Sequence, residues 1–293
     1  MGSSLCVGQN GVWSNNLIGV VVRNVVKAPE NRITQGTVFY GARSPYGDQA
    51  CYGVGITARC DTAREFKAAT FTFLPIVSVK DWLLHEALPK VAADLLSSVK
   101  GALKAKLMEK DGTDVVLTAF GVEAAFEKLG VSEKAIKSAR QTYDDAMAAM
   151  ALKSDDLTDL PKSVKKALHA DFVKLTKGTL QDFFFLDQIE AFPLEGQTLG
   201  YVVLLRDVRS IDRKLALTML GGMDRSKLLA CVGQDDSSGH LFVGDDDLAL
   251  PVSEIVSPYV EKLLQNFSML FGRIGTKDVP ESCSQAVFDF LEV

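Results

Sequence analysis

The stretch Thr70-Phe-Thr-Phe-Leu-Pro-Ile-Val77 runs directly into Ser78-Val-Lys-Asp-Trp-Leu-Leu84, and the pattern of apolar residues changes between the two. The first part is rich in β-branched and aromatic residues, which is typical of a strand. In the second part Ser78 and Asp81 have the spacing of a capping box, with Asp in place of the usual Glu. Apolar residues then recur at helical spacing, with a kink predicted at Pro89. The sequence therefore predicts that a β-rich part ends near residue 79 and that helices begin there.

The segment that follows is predicted to be an all-helical block over residues 80–178. Its helices begin at Ser or Pro and end before Gly, as capping preferences require. After the block the β pattern returns, and the last predicted helix begins at Ser257-Pro258. The predicted helices after the first are 116–129, 133–152, 161–177 and 257–274. The predicted strands are 16–26, 34–41, 50–57, 70–77, 182–186, 199–205, 215–220 and 241–243.

This order of strands, helices and strands indicates an α+β protein. We expect a small β-rich domain, folded as a bent sheet or partial barrel, with a central all-helical insertion. The predicted parts are a β-rich segment over 1–79, the insertion over 80–178 and an α+β segment over 179–293. Two arrangements fit this order: the last segment completes the N-terminal sheet, or two β domains flank a helical bundle.

Composition places the chain among globular proteins, because 47% of its residues are apolar and 24% are charged. The sequence has no run of about 18 apolar residues, as a membrane span needs, and its start lacks the pattern of a secretion signal. The five cysteines are scattered, with no CxxC pair. These features predict a cytoplasmic protein with free thiols, mostly buried, and no membrane contact.

The net charge of −5 is unevenly distributed along the chain. Residues 1–64 carry six basic and three acidic side chains, whereas residues 179–293 carry nine basic and eighteen acidic ones. An acidic C-terminal third argues against nucleic acid as a partner, because neutralised phosphates supply most of such affinity. A barrel that binds single strands stays open as an alternative, since aromatic side chains in the basic N-terminal part suit base stacking. These aromatic residues are Phe39, Tyr40, Tyr46 and Tyr52.

The segment Thr57-Ala-Arg-Cys-Asp-Thr-Ala-Arg-Glu65 lies where an apolar strand runs into a polar turn, a place where functional residues are often found. The candidate pocket residues are Thr57, Arg59, Cys60, Asp61 and Arg64. One interpretation is structural: Cys60 is packed at a strand end, and Thr62 with Glu65 caps a short helix. A second is a polar pocket in which Arg59 holds an anion. A third is nucleophilic catalysis by a Cys60 thiolate that nearby arginines stabilise.

Metal and cofactor signatures are not found in the sequence. Cys51, Cys60, Asp61 and His240 do not have the spacing of zinc ligands. The glycine pairs at Gly53-Val-Gly55 and Leu220-Gly-Gly-Met223 lack the residues of a phosphate-binding loop, and turns or bulges are expected there. We therefore expect no cofactor and no metal, and no residue is assigned a catalytic role.

Two stretches resemble an uncharacterised family of bacterial proteins: the strand-turn Ile56-Thr-Ala-Arg-Cys-Asp61 with Leu74-Pro-Ile-Val77, and the helix over 257–275. The resemblance covers the two ends of the chain and implies no known activity. Together with the helical block it favours a non-enzymatic interaction component of a bacterial multi-protein system, with anti-phage defence as its setting and a protein partner. The alternatives are a small hydrolase or ligand-binding enzyme with a polar pocket at Thr57–Asp61, and the single-strand-binding barrel.

Overall fold

The computed structural model describes residues 25–62, 67–130, 134–152, 157–189, 199–231 and 239–271. The strand predicted over 16–26 falls mostly outside these ranges, and so do the candidate residue Arg64 and its neighbour Glu65.

Eight antiparallel strands form one curled, half-barrel sheet. They are β1 (Val26–Lys27), β2 (Thr37–Arg43), β3 (Ala50–Gly55), β4 (Thr70–Ser78), β5 (Phe183–Leu186), β6 (Tyr201–Leu204), β7 (Arg209–Asp212) and β8 (Leu250–Ile255). The order across the sheet is β1-β8-β2-β3-β4-β6-β5, and β7 also pairs with β4. Because β8 lies between β1 and β2, and β6 pairs with β4, strands from before and after the helical block share one sheet. The predicted α+β fold, a small bent sheet with a central helical insertion, is confirmed.

Nine α-helices complete the described part of the chain. They are α1 (Arg59–Thr62), α2 (Val79–Trp82), α3 (Leu88–Asp111), α4 (Val115–Leu129), α5 (Lys134–Met150), α6 (Lys162–Thr176), α7 (Arg213–Met219), α8 (Arg225–Cys231) and α9 (Tyr259–Phe271). Helices α2 to α6 form the helical insertion between β4 and β5.

The start of the insertion follows the sequence pattern closely. The Ser78 hydroxyl accepts a hydrogen bond from the Asp81 backbone N–H at 3.0 Å, so the predicted cap is present. The distortion predicted at Pro89 is a π-helical turn over Leu83–Ala87, which ends two positions before the proline. Proline has no N–H to donate to the carbonyl four residues earlier, and a π turn accommodates that missing bond.

The two glycines of β3 make room for three aromatic rings. A Cβ at Gly53 would lie 2.5 Å from the Phe39 ring, and one at Gly55 would lie 2.4 Å from the Phe71 ring. The rings of Phe39 and Phe73 also meet edge to face, with centroids 5.1 Å apart. These glycines are therefore packing positions inside a strand, and the turn or bulge expected at them is wrong.

Helices cover both faces of the sheet. Helix α7 packs its apolar side against Phe39 of β2 and Phe71 and Phe73 of β4, which together form the phenylalanine cluster. Further along β4 the same face continues to Val77, which packs against the insertion together with Trp82 of α2. Helix α9 covers the other face through Val260 and Leu263. The insertion also has a core of its own, distant from the sheet, around Leu103 and Phe126.

The prediction of a strand over 215–220 is wrong, because this segment forms helix α7. The Asp212 carboxylate accepts a hydrogen bond from the Lys214 backbone N–H at 2.6 Å, which starts the helix. Leu215, Ala216 and Met219 then lie on one helical face and are buried against the sheet. A short apolar run does not distinguish a strand from a buried helix. Here the N-cap at Asp212 favours the helix.

Other boundaries also differ from the predictions. Leu241, in the strand expected over 241–243, forms one isolated bridge with Ala42. Strands β7 and β8 and helix α8 were not predicted. Helix α9 begins at Tyr259, just after a cis Ser257–Pro258 peptide bond, instead of at the expected Pro258.

Candidate functional site

The segment that begins at Thr57 is anchored to the sheet. The Thr57 hydroxyl accepts a hydrogen bond from the Thr72 backbone N–H at 2.7 Å, and the Ile56 N–H donates to the Thr72 carbonyl at 2.9 Å. Thr57 therefore continues the pairing of the chain after β3 with β4. Its side chain supports this pairing and is not among the described residues that line the cleft below.

Helix α1 is held against the loop before β2 by its last residue. The hydroxyl oxygens of Thr62 and Thr34 lie 2.9 Å apart and share a hydrogen bond, and Thr34 is buried. Helix α1 begins at Arg59 and includes Thr62, so the helix start predicted at Thr62 is wrong, and its predicted partner Glu65 lies outside the described residues. The contact fixes the turn so that Arg59 and Thr62 face the loop over residues 31–34.

Arg59 and Thr62 line an open cleft of about 930 Å³ at one edge of the sheet. One wall is polar and comes from β1, the loop after it and α1. The opposite wall is apolar and includes Leu217, whose side chain is 43% exposed, and Leu220. The described lining residues are Lys27, Asn31, Arg32, Ile33, Thr34, Arg59, Thr62, Leu217, Leu220, Glu254, Ile255, Val256 and Ser257.

Four charged residues at the polar wall form a continuous ion-pair network. Lys27 Nζ lies 2.6 Å from Glu30 and 3.2 Å from Glu254, and Arg32 lies 2.8 Å from Glu30. The hydrogen bond with Glu30, followed by that with Glu254, raises the pKa of Lys27. The same bond with Lys27, with Arg32 nearby, lowers the pKa of Glu30. Two cations and two carboxylates thus compensate one another.

Arg59 differs from these four residues. Among the described residues, none forms an ion pair or hydrogen bond with its guanidinium group, which is exposed beside the apolar wall. Arg59 therefore supplies the excess positive charge of the cleft. Of the predicted pocket residues, the structure places this one where an anion could be held.

Cys60 and Asp61 are not part of this cleft. Both are exposed, the Cys60 sulfur lies 3.7 Å from the Asp61 carboxylate, and neither belongs to the described lining of the cleft. The expectation that Cys60 is packed at a strand end is therefore wrong. By contrast, burial raises the pKa of Cys51 to about 12, so this thiol stays protonated inside the sheet.

The polar wall was not predicted from the sequence. Lys27 and Glu254 are more than 200 residues apart and meet because β1 pairs with β8 in antiparallel register. The apolar wall depends on α7, which the sequence pattern presented as a strand. Arg59 alone carried a local signal, namely its position just after an apolar strand.

Two of the four aromatic residues expected to stack on bases, Phe39 and Tyr46, are packed inside the protein. Phe39 is fully buried in the phenylalanine cluster, and the half-buried Tyr46 ring stacks on His85 at 4.5 Å between centroids. The Tyr46 hydroxyl also donates a hydrogen bond to Glu86 at 3.1 Å. Tyr40 of β2 and Tyr52 of β3 are half-buried neighbours, with ring centroids 5.3 Å apart. The barrel that binds single strands therefore stays a prediction.

Comparisons add no assignment to this geometry. No protein-family profile, curated protein or solved structure matches the chain. Within the described ranges, no helix has both the length and the apolar character to cross a membrane. Within the same ranges, His, Cys, Asp and Glu side chains form no group of three that could hold a metal ion. The resemblance to an uncharacterised bacterial family stays a prediction.

Proposed function

We propose that the protein binds a small organic monoanion in the Arg59 cleft. The anionic group lies at the guanidinium of Arg59, and the apolar body of the ligand lies along Leu217 and Leu220 of the opposite wall. The observation that carries this proposal is the exposed Arg59 side chain, which has no described partner. A guanidinium offers parallel N–H donors that match the two oxygens of a carboxylate.

The charges at the cleft favour a single negative charge on the ligand. Lys27 and Arg32 are already paired with Glu30 and Glu254. Among the described residues that line the cleft, Arg59 is therefore the cation without a carboxylate partner. A neutral ligand that covered Arg59 would leave a cation partly desolvated without a partner, which is unfavourable. A cationic ligand would add repulsion to that penalty.

The size and the apolar wall favour a ligand larger than an inorganic ion. A volume of about 930 Å³ lies within the range of small-molecule sites. Burial of each methylene group contributes about 0.8 kcal/mol, so a ligand with an aliphatic or aromatic body gains affinity along α7. The ligand class is therefore a carboxylate with an apolar body.

Calorimetric titration of the full chain with hexanoate, acetate and hexylammonium tests the proposal. Hexanoate is expected to bind about 10-fold or more tightly than acetate, because its chain reaches the apolar wall. Hexylammonium has the same chain with the opposite charge and is expected not to bind. Equal affinity for hexanoate and hexylammonium would contradict the proposal.

Three variants locate the binding on the molecule. Arg59→Gln is expected to weaken hexanoate binding by about 10-fold or more, since a hydrogen bond to a charged group contributes about 1.5–3 kcal/mol. Leu217→Ser is expected to weaken hexanoate binding and leave acetate unchanged. The matched control is Arg206→Gln, which removes an exposed arginine that pairs with Asp182 outside the cleft. If Arg59→Gln binds hexanoate as tightly as the control variant does, the site lies elsewhere.

A second candidate function is the interaction component of a bacterial multi-protein system that the sequence favours. The observation that supports it is a set of exposed apolar side chains on the helical insertion, among them Phe120 at 73% and Met150 at 61% exposure. Co-expression with the adjacent genes tests this candidate. A chain that purifies without any of their products would contradict it.

A further inference from the structure

Helices α3, α4 and α5 enclose a groove of about 890 Å³ on the insertion. It is separate from the Arg59 cleft, and the two share no described lining residue. Its described lining residues are Leu96, Ser97, Lys100, Gly101, Lys104, Asp114, Leu117, Thr118, Gly121, Val122, Tyr143, Met147 and Met150.

The groove is open because two glycines and a helix break lie along it. Apart from its chain neighbours and the backbone of its own helix, a Cβ at Gly101 of α3 or at Gly121 of α4 would meet no heavy atom of the described residues within 4 Å. Gly121 has a φ of 86°, which interrupts the helical geometry of α4. That left-handed conformation favours glycine, which has no Cβ to clash with the backbone. Another chain can therefore approach the backbone of both helices closely.

The apolar lining is exposed and adaptable. Met147 and Met150 are three residues apart on α5, so both side chains lie on one face of the helix. Methionine side chains are flexible and polarizable, and they recur at surfaces that receive amphipathic helices. Contiguous exposed apolar residues of this kind mark interaction sites in soluble proteins.

The described lining residues of the groove carry a net charge of +1, from Lys100, Lys104 and Asp114. Lys104 is paired with Asp114 at 3.0 Å, whereas the exposed Lys100 has no partner among the described residues. From Leu96 to Lys104 the wall of α3 extends about 12 Å, which is about two turns of a helix. A partner of matching length and charge is a short helix with apolar anchors and an acidic side chain.

We propose that this groove binds an amphipathic helix of a partner protein. Apolar side chains of that helix pack against Met147, Met150 and Leu117, and a carboxylate on its flank pairs with Lys100. The proposal concerns the insertion alone and does not depend on ligand binding in the Arg59 cleft.

Methionine methyl groups provide a direct measurement on the full chain. The sequence contains seven methionines, and Met219 and Met223 are fully buried under the sheet as internal references. The probe is a capped helical peptide of about four turns, with Leu at i, i+3, i+4 and i+7 spacing and Glu on its other face. Two further peptides carry Lys in place of Glu, or the same composition with the Leu spacing scrambled.

The Leu/Glu peptide is expected to shift the Met147 and Met150 methyl signals and to leave Met219 and Met223 unchanged. Binding of the Leu/Lys peptide is expected to be at least about 5-fold weaker, and the scrambled peptide is expected to cause no shift. Equal binding of the acidic and basic peptides, or no shift of Met147 and Met150, would overturn the proposal. Shifts that depend on protein concentration without peptide would also overturn it, because a second copy would then occupy the groove.

Two variants of the groove and one control variant sharpen the test. Lys100→Glu is expected to reverse the preference between the acidic and basic peptides, while Lys166→Glu, an exposed charge reversal on α6, is expected to leave it unchanged. Gly101→Leu fills the groove from α3 and is expected to abolish binding, and it raises helix propensity so that the insertion stays folded. Unchanged peptide affinity in Gly101→Leu would place the peptide outside the groove.

Discussion

The sheet and the helical insertion are built from the chain in different ways. The sheet joins strands from residues 26–78 with strands from residues 183–255, so its pairing depends on contacts between distant segments. The insertion is one continuous stretch in which neighbouring helices pack together. The Arg59 cleft accordingly combines residues that are far apart in sequence, whereas the groove is made by three consecutive helices. Pairing between distant strands thus forms the charged Arg59 cleft, and packing between consecutive helices forms the apolar groove.

Trp82 of the insertion packs against the sheet, and its replacement is expected to have the largest effect on stability. The side chain is 1% exposed and meets the Phe183 ring edge to face, with centroids 5.7 Å apart. We expect Trp82→Ala to lower the free energy of unfolding by about 3–5 kcal/mol. Urea unfolding followed by circular dichroism measures the change.

The control for this experiment is Trp82→Phe. The indole N–H of Trp82 has no hydrogen-bond partner in the described part of the protein, so a phenyl ring removes an unsatisfied polar group while it keeps most of the apolar contact. Trp82→Phe is expected to lose less than half as much stability as Trp82→Ala. Similar losses for both variants would mean that the ring does not couple the sheet to the insertion.

Gly53 tests the packing of the sheet itself. A methyl group there would lie 2.5 Å from the Phe39 ring and 2.9 Å from the Phe73 ring, so both rings must move. We expect Gly53→Ala to lower the free energy of unfolding by about 1–3 kcal/mol through overpacking. Gly47→Ala is the matched control, because a Cβ at Gly47 would meet no described heavy atom within 4 Å beyond its chain neighbours. A neutral effect of Gly53→Ala would contradict the described packing of the phenylalanine cluster.

Asp171 tests electrostatics within the insertion. Its carboxylate is buried and lies 2.6 Å from Lys174 and 2.9 Å from Lys90, so it links α6 to α3. Burial alone raises its pKa, but the hydrogen bonds from Lys174 and Lys90 outweigh burial, and the pKa falls below the ordinary value of 3.8. A lowered folded-state pKa stabilises the protein above the unfolded pKa and loses that effect as the pH falls through the folded value.

We therefore expect Asp171→Asn to lower the free energy of unfolding by about 1–2 kcal/mol near neutral pH. The difference from the unmodified chain is expected to shrink below about pH 4, because the unfolded chain then binds a proton at Asp171, and to disappear below the lowered folded-state pKa. Urea unfolding over a pH series measures this dependence. A difference that stays constant between pH 7 and pH 3 would show that packing, and not charge, accounts for the loss.

The features that the sequence could predict are those that depend on residues close together in the chain. The Ser78 cap and the helix ends at Gly112 and Gly130 depend on residues a few positions apart, and local rules identify them. The curled sheet was expected from strands with frequent glycines, although the role of Gly53 as space for aromatic rings depends on a neighbouring strand. Local signals were thus sufficient for the order of the elements.

Features that depend on distant pairing could not be predicted in this way. Strand β8 contains Pro251 and Glu254 and has no alternating apolar pattern, yet it pairs with β1 and β2. Its placement brings Glu254 to Lys27 and forms the polar wall of the cleft. The contact of α1 with the loop before β2 likewise depends on a distant pair, since the hydroxyls of Thr62 and Thr34 share a hydrogen bond. Arg59 was identified as a candidate, but the residues that complete its cleft were not.

Gly101 is the counterpart of Gly53 in the insertion. Substitution by alanine is expected to change the free energy of unfolding in the opposite direction at the two positions. It lies inside helix α3 with open space above it, so alanine adds no clash and reduces the conformational entropy that the unfolded chain loses on folding. We expect Gly101→Ala to raise the free energy of unfolding by about 0.5–1 kcal/mol, as urea unfolding would show. A loss of stability would mean that another part of the protein occupies the space above Gly101, and the groove would then be closed to a partner helix.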